Sequence, residues 1–181
     1  MNPTRGGRDN KITELLKSIK NRVCIAEVGT GGGGSADPLT DNYDGEVYLF
    51  DTFEGLPHED PQDNYHHSGE MKFSEEIVRE KYKDKKNVII TKGVFPQTAS
   101  VVADKLFLFV HLDVDMYRSY KECLEFFYPR MIPGGIIVFD DYGAPTCLGA
   151  KIAIDEFFVG KPEVIMDGAS DSQKYVQIEI K

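Results

Sequence analysis

The stretch IIVFDDY, residues 136–142, joins four apolar residues directly to two adjacent carboxylates. A continuous apolar run of this length is typical of a strand that is buried on both faces, as strands of parallel sheets usually are. Three more runs have a similar form: VCIAEV at 23–28, EVYLFD at 46–51 and LFLFVHLD at 106–113. The sequence therefore predicts buried strands whose carboxyl ends carry acidic residues.

Helices are predicted between these strands. Apolar residues recur at helical spacing in a segment that begins at Asn10, in residues 120–127 and in residues 150–157, and Ser74 precedes a charged helix that reaches about Lys83. Short helices are expected after the first strand and after Pro96, and further strands at 87–91, 163–166 and 175–180. Sustained alternation of strand and helix predicts a doubly wound α/β fold with a mostly parallel sheet.

We expect one domain over residues 1–181, because a chain of this length is close to the commonest domain size. Within it, residues 1–9 are expected to be flexible. The polar, turn-rich segment 56–71 is longer than most connections and is interpreted as a lid.

The composition argues against several classes of protein. A net charge of −9 argues against nucleic acid or an anionic membrane as a partner, since both are usually bound through basic surfaces. Three widely spaced cysteines predict free thiols rather than a disulfide framework. Neither a membrane-spanning run nor the apolar region of a signal peptide is recognisable, so a cytoplasmic location is expected.

Gly29, Gly31 and Gly33 follow the first predicted strand with the spacing GxGxG. Glycines at this place let a ligand approach the backbone and the start of the next helix. Asp51, about 20 residues further on at the end of the next strand, is suited to bind two ribose hydroxyls. The pattern leaves a nicotinamide dinucleotide and S-adenosylmethionine as rival cofactors.

Acidic residues converge from two further strand ends, Asp113 and Asp115 after one strand and Asp140 and Asp141 after the other. Singly, each aspartate is best interpreted as a helix or turn cap. Together they would repel one another, and a hard divalent cation with oxygen ligands, such as Mg²⁺, would relieve that repulsion.

The four histidines carry weaker signals. His58, His66 and His67 lie in the polar segment 56–71 and are expected to be exposed. His111 precedes Asp113 by two residues on the same strand face, and a packed histidine is preferred there over a role near the metal or the substrate.

Four blocks of sequence resemble the macrocin O-methyltransferase family: VYLFDTFEGLP at 47–57, KGVFPQT at 92–98, residues 109–143 from FVHLDVDMY to IIVFDDYG, and GAKIAIDEFF at 149–158. The resemblance covers roughly residues 23–160. It implies a Rossmann-like class I methyltransferase sheet of seven strands with an antiparallel last strand, S-adenosylmethionine as methyl donor, and Mg²⁺ or another divalent cation. The acceptor it implies is a hydroxyl of a small molecule, such as a sugar or a natural-product glycoside, and relatives of this kind form homo-oligomers.

The resemblance also implies roles for individual residues. Asp113, Asp140 and Asp141 match the metal ligands, and Asp113 also matches the acceptor of the substrate proton. The residues that match the cofactor-binding surface are Glu27, Gly29, Ser35, Asp51, Thr52, Phe53 and Gly93.

Two alternatives stay open from the sequence. A glycosyltransferase would use Asp113-Val-Asp115 as a DxD motif for a metal and a sugar nucleotide, but it would leave the glycine motif, Asp51 and the Asp140-Asp141 pair without linked roles. A non-catalytic protein that binds S-adenosylmethionine is the other alternative.

Overall fold

The computed structural model describes residues 23–179, so the predicted flexible segment 1–9 and the predicted helix from Asn10 lie outside the described residues. The centre of the fold is a seven-stranded sheet with the order β3-β2-β1-β4-β5-β7-β6. Its strands are β1 Val23–Val28, β2 Val47–Asp51, β3 Val88–Lys92, β4 Leu106–Leu112, β5 Met131–Phe139, β6 Met166–Asp167 and β7 Lys174–Gln177.

The first five strands are mutually parallel, whereas β7 runs antiparallel to both β5 and β6. The strand order reverses at β1: β2 and β3 follow it on one side, and β4 and β5 follow on the other. This confirms the predicted doubly wound, mostly parallel sheet of seven strands with an antiparallel last strand.

Within residues 23–179, four α-helices connect the strands: α1 Ala36–Asn42, α2 Glu75–Lys81, α3 Tyr117–Phe127 and α4 Leu148–Phe158. Short 3₁₀ helices cover Ala99–Val102 and Tyr128–Arg130. The apolar stripe predicted for residues 120–127 is the buried face of α3. None of the described helices has the length and apolar surface needed to cross a membrane.

The two faces of the sheet bury separate clusters of side chains. Alternate residues of β1 point to opposite faces, so Cys24, Ala26 and Val28 join a large cluster with α3 and α4, and Ile25 joins a smaller one with Val78 of α2. Cys24, Cys123 and Cys147 are all buried and free, as predicted. Helices on both faces leave the carboxyl edge of the parallel strands available for a site.

The last third of the chain departs from the predicted bounds. β5 begins at Met131, five residues before the predicted Ile136, because Met131 already pairs with Phe107 and a bulge then separates this pair from Phe109 and Ile136. The strand predicted at 163–166 is reduced to Met166–Asp167. Apolar character alone does not locate bulges or strand ends, which depend on the neighbouring strand.

Candidate functional site

Three strand ends meet at the carboxyl edge of the sheet in register. Val28 of β1 pairs with Leu112 of β4, which pairs with Phe139 of β5. The pairing continues past the strands, since the Asp113 amide donates to the Val28 carbonyl at 3.0 Å and the Asp140 amide donates to the Leu112 carbonyl at 2.9 Å. The sheet therefore brings the first glycine turn and the acidic turns side by side.

A cavity of about 450 Å³ opens at this edge. It is lined by six of the eight residues predicted to bind a cofactor: Gly29, Gly31, Ser35, Asp51, Thr52 and Gly93. Asp113 and Asp115 lie in the same wall, and Phe73 and Phe95 add aromatic surface. The two other predicted residues do not line the cavity: Phe53 packs in the smaller core cluster, and Glu27 is fully buried.

Asp51 holds the glycine turn in place. Its Oδ2 accepts a hydrogen bond from the Gly31 amide at 2.7 Å, and its Oδ1 accepts one from the Phe53 amide at 2.6 Å. Burial raises the pKa of Asp51 despite these two hydrogen bonds. Each carboxylate oxygen has a second lone pair, so Asp51 can still accept hydrogen bonds from a ligand in the cavity.

Gly29 is required by the protein backbone itself. Its φ is +87°, and a Cβ added there would lie 1.7 Å from the carbonyl oxygen of Asp113. The Asp113 turn therefore fills the side of Gly29 on which a side chain would stand, while the Gly29 backbone still lines the cavity.

The carboxylates of Asp113, Asp140 and Asp141 form a cluster in which one oxygen from each lies within 4.8 Å of the others. Burial, with the charges of Asp141 and Asp140, raises the pKa of Asp113 to about 8. Burial likewise raises the pKa of Asp141 to about 6. The pKa of Asp140 is instead lowered, chiefly by its hydrogen bond to His111. This oxygen-rich, negatively charged donor set matches the preferences of Mg²⁺.

His111 connects Glu27 of β1 to the acidic cluster. Its Nδ1 lies 2.9 Å from Oε1 of Glu27, and its Nε2 lies 3.4 Å from Oδ1 of Asp140. Burial opposes a charge on the ring, but the hydrogen bonds to Asp140 and Glu27 prevail and raise the pKa of His111 to about 10. Among the described residues, Oε2 of Glu27 has no hydrogen-bond partner. His111 is buried, as the prediction of a packed histidine states, but its contact with Asp140 also places it beside a predicted metal ligand, a role that the sequence did not favour.

The Tyr120 side chain and the Asp115 backbone fix the position of Asp141. The Tyr120 hydroxyl lies 2.8 Å from Oδ2 of Asp141, and the Asp115 amide donates to the same oxygen at 3.0 Å. Tyr120 was recognised only as part of an apolar helical stripe. Asp115 has a positive φ of 53°, an uncommon conformation for a residue other than glycine.

Segment 56–71 contains neither helix nor strand and lies against the site. Leu56, Pro57 and Met71, at its two ends, line the cavity. In its middle, Oδ1 of Asp63 accepts a hydrogen bond from the Tyr117 amide at the start of α3, at 2.9 Å.

The histidines of this segment correct one prediction. His67 is exposed, with 71% of its side chain accessible, but His58 and His66 retain only 16% and 11%. They were predicted to be exposed because the segment is polar. Contacts with the rest of the fold bury both rings, and sequence polarity does not report such contacts.

Two solved methyltransferase structures have a similar fold. The O-methyltransferase NovP covers 96% of this chain and 80% of its own, with a TM-score of 0.73 and 22% identity. The calicheamicin methyltransferase CalS11 covers the same shares, with a TM-score of 0.70 and 18% identity. The fold is therefore that of the class I methyltransferases.

Sequence comparison then defines the family. Residues 35–160 match the family described as Macrocin-O-methyltransferase (TylF), and the chain belongs to this family. It is 28% identical, over 116 residues, to the 8-demethyl-8-(2,3-dimethoxy-α-L-rhamnosyl)-tetracenomycin-C 4′-O-methyltransferase of Streptomyces olivaceus, with 58% of this chain and 44% of the relative covered. It is also 28% identical, over 154 residues, to the demethyldecarbamoylnovobiocin O-methyltransferase of Streptomyces niveus. This match covers 74% of this chain and 57% of the relative. The chain thus spans about half the length of these curated relatives.

Proposed function

We propose that this chain is an S-adenosylmethionine-dependent O-methyltransferase that methylates a hydroxyl of a small molecule and uses Mg²⁺ or another divalent cation. The main support for the proposal is the location of Asp113, which belongs both to the cavity wall and to the three-carboxylate cluster. A methyl donor in the cavity would lie beside an acceptor held at the cluster. Such proximity can supply a large part of the rate enhancement.

The proposed cofactor site follows the predicted set. Asp51 would accept hydrogen bonds from the ribose hydroxyls, and its existing bonds to the Gly31 and Phe53 amides fix its orientation. Gly29, Ser35, Thr52 and Gly93 would contact the cofactor from the cavity wall. Phe53 would act from behind that wall through Asp51, whereas Glu27 contacts His111, which leads to Asp140 of the acidic cluster.

Asp113, Asp140 and Asp141 are the proposed metal ligands. The chemistry of these donors fits a hard cation. The three carboxylates are clustered, and the raised pKa values of Asp113 and Asp141 show that their negative charges are unfavourable without one. A cation bound there would polarise the acceptor hydroxyl and lower its pKa. Tyr120 and the Asp115 amide would keep Asp141 in the orientation needed for binding.

Two carboxylates are proposed as acceptors of the substrate proton. Asp113 is the acceptor implied by the family resemblance, but as a metal ligand it would already share its charge with the cation. Asp115 lies in the cavity wall outside the three-carboxylate cluster, and burial raises its pKa, which makes it a better base than an ordinary surface aspartate. Replacing Asp115 by Asn should change the pH profile of turnover with little effect on metal affinity, if Asp115 is the base.

A sugar or natural-product glycoside is the acceptor class we propose. The support is the name of the Streptomyces olivaceus relative, which specifies O-methylation of a compound that carries a rhamnosyl group.

We further propose that the chain forms one domain, that segment 56–71 acts as its lid, and that the protein works in the cytoplasm. The lid is supported by the contacts of Leu56, Pro57 and Met71 with the cavity, and the location by the three free cysteines.

Calorimetric titration with S-adenosylhomocysteine and with a sugar nucleotide, each with and without Mg²⁺, tests the proposal. We expect S-adenosylhomocysteine to bind, and methyl transfer to a hydroxyl acceptor to require the cation. Binding of the sugar nucleotide alone would refute a methyltransferase. Cofactor binding without methyl transfer to any sugar, glycoside or catechol would favour the non-catalytic alternative.

The arrangement of Asp113 and Asp115 argues against the glycosyltransferase alternative. A DxD motif would present both carboxylates to one cation, whereas Asp113 groups with Asp140 and Asp141, and Asp115 groups with different residues. The glycosyltransferase alternative also gives no joint role to the glycine turn and Asp51, which are joined by the hydrogen bond from the Gly31 amide.

A further inference from the structure

We propose that His66, Asp115 and Cys147 form a second cation site, selective for a thiophilic ion such as Zn²⁺, that fastens segment 56–71 to the edge of the sheet. One ligand atom from each residue lies within 4.8 Å of the others. The three residues come from three separate parts of the chain: segment 56–71, the turn after β4, and the residue before α4. A cation bound by all three would therefore cross-link the fold beside the cavity.

The donor set differs in kind from the three-carboxylate cluster. Thiolate, imidazole and carboxylate together are typical of zinc, whereas Mg²⁺ prefers oxygen ligands alone. Neutral His66 with the anions of Asp115 and Cys147 would balance the charge of Zn²⁺. Three protein ligands would leave a fourth position for water or another small ligand.

The surroundings of the three residues also suit a metal. Nδ1 of His66 lies 3.4 Å from a carboxylate oxygen of Glu70, so Nε2 is the nitrogen we assign to the cation. A carboxylate on the second ring nitrogen is the usual support for a histidine that binds zinc. Only 11% of the His66 side chain is accessible, although its neighbour His67 is exposed.

Cys147 and Asp115 are already in contact. The Cys147 thiol is a hydrogen-bond donor to Oδ1 of Asp115 at 3.5 Å, and the Thr146 hydroxyl lies 3.6 Å from the same sulfur. Burial raises the pKa of Cys147 to about 12, so the thiol keeps its proton when no cation is bound. A zinc ion would replace that proton, which would leave to solvent, and would bridge the two side chains instead.

This site goes beyond the proposed function, because zinc binding needs neither the methyl donor nor the acceptor. It has a consequence for that function, however. A cation on Asp115 would remove one of the two proposed proton acceptors and hold segment 56–71 against the sheet, so zinc is expected to inhibit methyl transfer.

Co²⁺ is a suitable probe, since a cobalt–thiolate bond gives a charge-transfer absorption that cobalt bound by oxygen ligands lacks. We expect this absorption in the wild-type chain, its loss in Cys147→Ser, and its displacement by Zn²⁺. Competition with a chromophoric chelator should show Zn²⁺ affinity weakened by about tenfold or more in His66→Gln and in Cys147→Ser, since even residues that only support a metal ligand have effects of about 10–100-fold.

Matched variants separate this site from its neighbours. His67→Gln changes the adjacent, exposed histidine, and Asp113→Asn disables the three-carboxylate cluster; both should keep the cobalt–thiolate absorption and the Zn²⁺ affinity. Thermal unfolding of each variant establishes whether it is folded. If Cys147→Ser does not fold, the Zn²⁺ affinity of His66→Gln tests the site instead. The proposal is overturned if wild-type protein gives no thiolate absorption, or if Zn²⁺ affinity depends on Asp113 and not on His66 and Cys147.

Discussion

The Tyr120 hydroxyl lies 2.8 Å from Oδ2 of Asp141, where α3 packs on the sheet. The same hydroxyl is 2.9 Å from the Leu112 carbonyl, so the ring is tied both to a strand and to a proposed metal ligand. Tyr120→Phe keeps the packing and removes these contacts. We expect Mg²⁺ affinity, measured by the dependence of methyl transfer on Mg²⁺ concentration, to fall by about 10–100-fold.

Tyr128→Phe is the control for this substitution. The Tyr128 hydroxyl donates to Glu163 at 2.8 Å, away from the proposed site. Each variant should lose about 1.5–3 kcal/mol of stability with its hydrogen bond to a carboxylate, and only Tyr120→Phe should change the response to Mg²⁺. Equal Mg²⁺ dependence in both variants would show that Tyr120 has a structural role alone.

Asp140→Asn and Asp141→Asn test the proposed metal ligands. Each replaces a charged ligand by a neutral one of the same size, so turnover at a fixed Mg²⁺ concentration should fall by more than about tenfold. Affinity for S-adenosylhomocysteine, measured by calorimetry without metal, should change little, because neither residue lines the cavity. Asp104→Asn, at an exposed position, is the control. An equal loss of cofactor affinity and turnover would contradict separate sites.

Asp51→Asn should weaken cofactor binding and leave the response to Mg²⁺ unchanged, the reverse of what is expected for the Asp140 and Asp141 variants. An amide group on residue 51 would direct a donor at the Gly31 or the Phe53 amide, both of which now donate to the carboxylate. Hydrogen bonds to charged groups contribute about 1.5–3 kcal/mol, so S-adenosylhomocysteine affinity should fall by about tenfold or more. The Mg²⁺ concentration that gives half-maximal turnover at saturating cofactor should stay unchanged. A normal cofactor affinity would exclude Asp51 from the proposed ribose site.

Much of the fold could be predicted because a buried parallel strand has a local signature. The runs that became β1, β2 and β4 are apolar almost throughout, and an acid or a glycine ends each of them. The bulge in β5 and the shortness of β6 could not be predicted, since both depend on pairing with a neighbouring strand.

The site was predictable to the extent that it lies at strand ends. A parallel sheet brings such positions together, so Asp113, Asp140 and Asp141 could be placed in one cluster from the sequence. Contacts between distant segments have no comparable signature. The approach of His66 to Cys147, and the bond from Tyr120 to Asp141, depend on how a loop and a helix pack after the sheet has formed.

Gly29→Ala tests whether the first glycine serves the backbone. The added Cβ would overlap the Asp113 carbonyl, and φ of +87° is unfavourable for alanine. Overpacking costs about 1–3 kcal/mol and the left-handed conformation about 1–2 kcal/mol, so the free energy of unfolding should drop by a few kcal/mol. Gly34→Ala is the matched control, because nothing lies within 4 Å of its added Cβ. Denaturant unfolding of both variants measures the difference, and equal stabilities would contradict the argument.

The three-carboxylate cluster predicts that the effect of Mg²⁺ on stability depends on pH. The pKa of Asp113 is raised from 3.8 to about 8, so between these values the folded, metal-free chain holds a proton that the unfolded chain has lost. Stability of the metal-free protein should therefore fall as pH rises through this window, by up to about 1.4 kcal/mol per pH unit for one extra bound proton. Mg²⁺ removes this penalty by replacing the proton, so the gain in melting temperature on adding Mg²⁺ should be larger at pH 8 than at pH 5. In Asp113→Asn the gain in melting temperature should depend much less on pH, because residue 113 no longer titrates. A gain in melting temperature that is the same at both pH values in the wild-type chain would show that Mg²⁺ does not bind at these carboxylates.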